Sequence, residues 1–422
     1  MSLLLKNLKI VNHDKILENT NILIEKSHIK AVTGESPEAK EIIDLSGFYA
    51  VPGLIDMHVH FRDPGLEYKE DIFSGSKAAV AGGVTTCLPM ANTKPVNDNS
   101  AITKYMIDKS KQCGLIDLYP VGAITKGMKG EELTEMGDML EAGAIAFSDD
   151  GLPVMNSEVM RRALEYIKTF DSFIISHSED KHLAGKGVIH DGKVATITGL
   201  KGIPAEAEEI MIIRDILLAK LTKSRIHIAH VSTRGALKLI KWAKEEGINV
   251  TCEAAPHHFT FDENSLLDYN TNYKMNPPLR EPEDVTAIIE ALKSGLIDTI
   301  ATDHAPHHID EKFVEFDLAA FGITGLQTLI PLTLKLIKEN KLTWQDFVRL
   351  TSYTPSKILN LSDRGEIKEG KLADITIIDP VYTYIFDEKT NKSKSVNNPL
   401  FGKELTGIAK LTIKNGKIVH KI

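Results

Sequence analysis

The chain has 422 residues, more than one small domain needs, with 42% hydrophobic and 26% charged residues, an ordinary balance for a globular protein. A net charge of -8 argues against nucleic acid as a partner, no run reaches membrane-spanning length, and "MSLLLKNLKI" turns polar too soon for a signal peptide. Three scattered cysteines, Cys87, Cys113 and Cys252, form no disulfide framework and suit reduced thiols in the cytoplasm.

The N-terminal segment predicts short alternating strands in "LLLKNLKIVN", "TNILIEKSHIKAV" and "KEIIDLSGFYAV". The C-terminal segment predicts more in "ADITIIDP" and "KLTIKNGKIVHKI", the latter with an Asn-Gly hairpin turn. Residues 1-50 and 366-422 are therefore expected to form one small β-sandwich domain built from both termini. Between them, residues 51-365 carry eight short apolar runs: "LIDMHVH", "VTTCLPM", "IDLYPVGAI", "AIAFSDD", "FIISHSE", "IHIAHVS", "NVTCEAAPHH" and "DTIATDHAP". Helix-like segments such as "EVMRRALEYIKTF" and "GALKLIKWAKEEG" separate most of them. This α/β alternation predicts a TIM-like (β/α)8 barrel.

The C-terminal strand ends of such a barrel line the catalytic mouth. The first run ends in His58 and His60, the fourth in Asp149 and Asp150, and the fifth and sixth reach His177 and His230. The seventh reaches His257 and His258, and the eighth Asp303, His304 and His307. Singly, a strand-end histidine is more often a hydrogen-bonded rim residue than a ligand. His58 and His60 are two apart, so both rings share a face and can reach one metal ion. His177 and His230 interrupt apolar runs, where an unpaired ring is costly, and could hold a second ion with a carboxylate bridging. Such a pair activates hydroxide for hydrolysis of an amide-like bond or its reversal, with Asp303 the candidate general acid/base. Arg62, also in alternation with the two histidines, offers its fork to a carboxylate. Asn92 and Asn276 either add amides to the same wall or simply make turns.

The stretches "DMHVHFRDPG", "MANTKP", "FSDDG", "HSED", "AHVST", "NPPLR", "TDHAPH" and "GEIKEGKLADITIID" resemble the amidohydrolase superfamily, and within it the longer, bacterial-type dihydroorotases. The resemblance runs through essentially the whole chain. It implies zinc, one or two ions per chain, with His58, His60 and Asp303 at one position, His177 and His230 at the other, and Asp150 shared. It implies Arg62, Asn92 and His307 on the substrate carboxylate, Asn276 on the ring amide, and Asp303 as proton shuttle. The implied reaction is reversible closure of N-carbamoyl-L-aspartate to L-dihydroorotate in pyrimidine biosynthesis, with metal-bound hydroxide as nucleophile when the ring opens. It leaves open a homodimer and a complex with aspartate carbamoyltransferase.

Some positions depart from the family. Ala91 stands where a proline is commoner beside Asn92, and "AFSDDG" lacks the lysine that, carbamylated, bridges metals in related enzymes, so an aspartate must serve. Two rivals stay open. Another cyclic amidase, such as a hydantoinase, would need neither Arg62 nor Asn92 and would be expected to carry that lysine. A catalytically silent subunit would be expected to have lost metal ligands, which this chain retains. The long, charge-mixed segment from His307 to Gly322 predicts a loop closing over the mouth.

Overall fold

Leu3, Leu5, Leu8 and Ile10 of the first strand, β1 (Ser2–Val11), are buried in one apolar core. Their parity changes at a bulge where Asn7 takes φ 61°, so odd positions before it and even positions after it point inward. The computed structural model describes residues 2–422. β2 (Ile16–Glu25), β3 (His28–Thr33), β4 (Glu41–Asp44) and β5 (Tyr49–Pro52) complete the N-terminal set.

A closed parallel barrel follows. Its strands are β6 (Leu54–Val59), β7 (Val84–Pro89), β8 (Asp117–Leu118), β9 (Val121–Gly122), β10 (Ala146–Phe147) and β11 (Ile174–Ser176). After a separate small ladder of β12 (Ile189–His190) and β13 (Gly202–Ile203), β14 (Ile226–Ile228), β15 (Val250–Ala254) and β16 (Thr299–Ile300) complete it. β8 and β9 are halves of one barrel position. They part at Pro120, which has no N–H for a ladder, although its carbonyl still accepts from the Ile145 N–H at 3.1 Å. The barrel closes through a parallel bridge between Val59 and His304 and the bond from His60 N to His304 O, 2.8 Å. Asp56 of β6 reinforces the seam by accepting from Thr302 N (3.0 Å) and Thr302 Oγ1 (2.5 Å). Burial lifts its pKa to about 7 against those bonds.

Each strand position is followed by a helix on the outside, as the strand-then-helix pattern predicts. Helix Ser157–Lys168 shows why: it buries Met160, Ala163, Leu164 and Ile167, one stripe at helical spacing, and Asn156 caps its first turn. The architecture is a (β/α)8 barrel with a small β-sandwich.

β17 (Ile375–Ile385), β18 (Glu404–Lys414) and β19 (Lys417–Lys421) join the N-terminal strands in one sheet of order β19-β18-β17-β5-β1-β2-β3, with β4 on β1. Asn415 and Gly416, both at positive φ (49° and 72°), make the tight turn between β18 and β19. The sheet is fastened to the barrel by charge. Asp117 of β8 accepts from Arg364 Nη1 at 2.6 Å and pairs with Lys414 Nζ of β18 at 2.8 Å, while Asp374 holds the same ammonium at 2.9 Å.

Burial opposes the charge on Asp117, but Lys414 and Arg364 outweigh it and hold the carboxyl below its usual 3.8. Its contribution to stability is therefore complete above pH 3.8 and is lost as pH falls through the lower folded value. Asp117→Asn should reduce unfolding free energy by about 2 kcal/mol at neutral pH, less than for a fully buried pair. Urea unfolding of variant and parent checks this, and the gap between them should shrink in acid.

Candidate active site

The C-terminal strand ends surround a cavity of about 300 Å³. His60, Arg62, Asn92, Asp150, His177, His230, Asn276, Asp303 and His307 all line it, although the ends of seven separate strands and the loops after them supply them. His58, the remaining expected metal ligand, lies just beneath the floor with no exposed surface.

Asp150 sits at the centre. Its Oδ1 is 3.4 Å from His58 Nε2, 3.3 Å from His177 Nδ1 and 3.4 Å from His230 Nε2, and its Oδ2 is 3.4 Å from His60 Nε2. Asp303 Oδ1 completes the ring at 3.1 Å from His60 Nε2 and 3.7 Å from His58 Nε2. Among the described residues, two overlapping triads bring their donor atoms close enough to hold an ion: His58, His60 and Asp150, and Asp150, His177 and His230.

The outer nitrogens show that these rings suit a cation. His58 Nδ1 gives its proton to Glu253 Oε1 (2.7 Å), His60 Nδ1 to Asn92 Oδ1 (2.9 Å), and His177 Nε2 to Glu179 Oε2 (3.4 Å). Each ring thereby turns its other nitrogen toward Asp150, the orientation in which a histidine becomes a metal ligand when a cation displaces the proton there. His58 Nε2 and Asp150 Oδ1 are buried with no hydrogen-bond partner, which is costly unless a cation takes both. The donor set of imidazoles and carboxylates fits zinc or a similar divalent ion.

The charges are strongly interdependent. Burial disfavours the charged forms of Asp150 and Asp303, but the surrounding histidines outweigh it and hold both carboxyls well below the usual range. Burial also opposes a charge on His177, yet Asp150 and Glu179 raise it to about 9. Arg62 is pulled down to about 10 by burial and remains charged at neutral pH.

Strand alternation carries the chain only as far as Val59, where β6 ends. Arg62 reaches the mouth by another route: its backbone turns through φ 60°, its Nε donates to Pro306 O (3.2 Å), and its Nη2 lies 3.3 Å from His307 Nε2. His230 (φ 32°) and Asp303 (φ 48°) are also left-handed, a conformation uncommon outside glycine and concentrated at functional sites. Asn276 donates to Glu179 Oε2 at 3.2 Å. The segment from His307 to Gly322 holds a short helix, Ile309–Lys312, and folds over the buried Lys312 ammonium, which donates to Lys274 O, Ala320 O and Gly322 O. Gly322 takes φ +142° where the segment returns, and a Cβ there would fall 2.8 Å from Ala305 O and 3.0 Å from His307 Cδ2.

Other strand-end polar residues lie outside the cluster. Asp149 accepts from Ile124 N and Thr125 N and shapes a loop, His258 bonds Pro277 O, and His304 accepts from Gly325 N. Sequence reading passed over Glu253, Glu179 and His227, whose Nε2 holds the other Glu253 oxygen at 3.1 Å. Glu253 and His227 interrupt apolar runs just as His177 and His230 do, so the same signal could have found them.

Fold and site together define a metal-dependent cyclic amidohydrolase. A "Dihydro-orotase-like" family model matches residues 47–236, and an "Amidohydrolase family" model matches residues 222–420. Dihydroorotases from Geobacter metallireducens and Geotalea daltonii are 52% and 50% identical to this chain, over 100% of each sequence. Among solved structures, an L-hydantoinase from Arthrobacter aurescens superposes with TM-score 0.88 at 26% identity, covering 99% of this chain and 96% of the other. A dihydropyrimidinase from Brevibacillus agri gives 0.84 at 22%, covering 100% and 95%, a likeness of fold. The chain belongs to the dihydroorotase family.

Glu253→Gln keeps the volume of the side chain but weakens its hold on His58, and should lower metal affinity by roughly 10- to 100-fold. Titration of the metal-free protein against a competing chelator measures this, and an unchanged affinity would remove Glu253 from the site's support.

Proposed function

We propose that this mouth interconverts N-carbamoyl-L-aspartate and L-dihydroorotate, using zinc held by His58, His60, Asp150, His177, His230 and Asp303. The convergence of four imidazoles on one buried carboxylate, with the outer nitrogens of His58, His60 and His177 already engaged, is the observation that carries the reading. Bound zinc supplies Lewis-acid polarisation and lowers the pKa of water. The chain's own groups do the rest. Arg62, Asn92 and His307 grip the substrate's free carboxylate, and Asn276 faces the ring amide. Asp303, deprotonated at neutral pH, accepts a proton from the attacking water and delivers it to the leaving ring nitrogen as the C–N bond breaks. In reverse it takes that proton from the ureido nitrogen and releases water. Ring closure consumes a protonated carboxyl, so acid favours cyclisation and alkali favours opening.

A rival hydantoinase-type specificity is disfavoured by the identity to dihydroorotases and by Arg62 in the cavity wall. Docking to aspartate carbamoyltransferase is a second element of the proposal. Its support is the segment beside the mouth, where Phe313 is 90% and Leu318 74% exposed, apolar surface suited to a protein partner. We place the reaction in the cytoplasm, a reading supported by three free cysteines; among the described residues no helix is long and apolar enough to cross a membrane.

The test is turnover of L-dihydroorotate by the purified chain, with metal content measured in parallel. One or two zinc per chain and turnover abolished by a chelator are expected, and Asp303→Asn should lose roughly 10²- to 10⁴-fold in kcat. Bound zinc without turnover until aspartate carbamoyltransferase is added would make activity partner-dependent. No turnover in either state would overturn the proposal.

A further inference from the structure

We propose that Lys69 and Glu311 select the tautomer of His307 and thereby set how firmly the substrate carboxylate is held; this rests on His307 being a carboxylate-binding residue. The two flank a single ring nitrogen. His307 Nδ1 lies 3.4 Å from Lys69 Nζ and 3.3 Å from Glu311 Oε2, and the two side chains are themselves paired at 2.7 Å. The other ring nitrogen, Nε2, faces Arg62 Nη2 at 3.3 Å.

The ring is neutral, because burial and the charges of Arg62, Lys69 and Lys312 all oppose a proton on it. A neutral imidazole has one N–H and one lone pair. Arg62 can only donate, so when it bonds Nε2 the proton must sit on Nδ1, and Glu311 accepts it. A carboxylate seated on Arg62 reverses the requirement. Nε2 then faces oxygen lone pairs and must donate, so Nδ1 must accept, and Lys69 is the donor already in reach. An acid and a base at one nitrogen let the ring serve either arrangement without any side chain leaving its place.

The surroundings keep both partners fixed. Lys69 is only 9% exposed, and its carbonyl accepts from Ser395 Oγ at 2.7 Å. Glu311 accepts from Tyr68 OH and His308 N, both at 3.1 Å. The His307 N–H bonds Asn397 Oδ1 at 3.0 Å, so the ring's own backbone is anchored as well. Lys69 and Glu311 act through His307 and are positioning residues, not catalytic ones.

Steady-state kinetics with L-dihydroorotate separates this from a merely structural role. Lys69→Met removes the donor while keeping the length of the chain, and KM should rise about tenfold with kcat within about twofold, the loss of one charge-assisted hydrogen bond. Lys69→Arg restores a donor and should recover most of the parental KM. Glu311→Gln replaces the acceptor by an amide that can donate to Nδ1, so its KM should not exceed the parental value. A structural role would raise KM in Lys69→Met and Glu311→Gln alike. His307→Ala is the control. If it leaves KM unchanged, the carboxylate-binding reading itself fails. If it raises KM while Lys69→Met does not, or while Glu311→Gln raises KM as much as Lys69→Met, the tautomer proposal is overturned.

Discussion

A carboxylate 5% exposed, with four imidazole nitrogens within 3.4 Å, is the constraint around which the barrel mouth is organised. In a low-dielectric interior such a charge must be met by opposite charge and by fixed hydrogen bonds. Asp150 cannot be satisfied by its own strand, so the requirement passes outward through the rings to Glu253 on β15, Asn92 beyond β7 and Glu179 beyond β11. A parallel barrel suits this because its strands all end at one rim, whatever their separation in the chain. The seam between β6 and β16 matters for the same reason: it brings His58 and His60 beside Asp303.

The backbone bears part of the load. Arg62, His230 and Asp303 hold left-handed conformations, and Gly322 takes one that a side chain could not share with Ala305 and His307. Conformations of this kind persist only where the surroundings over-determine them. Here two carbonyl-capped lysine ammonium groups help: Lys312 gathers three carbonyls of the returning segment, and Lys274 donates to Phe316 O and Asp317 O. The segment is thus fixed from inside, while its apolar tip remains exposed at Phe313 and Leu318.

Much of this was legible in the sequence because simple periodicities encode it. Alternation with a period of two put His58 and His60 together, and strand-then-helix repetition declared the barrel. Asn-Gly at 415–416 marked the last hairpin. Alternation misled for Arg62, since the strand stops at Val59 and a left-handed turn, which no pattern announces, carries the guanidinium inward. Glu253 and His227 escaped notice because a buried acid looks anomalous only once its partner on another strand is known. Nothing local marks Lys69 and Glu311, which are 242 positions apart and joined only by the folded loops. Pairwise geometry across long separations is what composition and local pattern do not hold.

The sheet shared by both ends of the chain also bears on the order in which the protein is made. β5 leaves the ribosome with one side of its ladder open, and the strand that covers it, β17, begins only at Ile375. At bacterial-scale elongation rates, on the order of tens of seconds separate the two. Through that interval the newborn N-terminal strands present an unpaired edge and the apolar faces of Ile22, Ile24 and Ala50, which Ile375, Ile377 and Leu411 will later help to cover. The whole barrel is synthesised while that edge waits, which makes the small terminal sheet, rather than the catalytic barrel, the part of the molecule with most to gain from a chaperone.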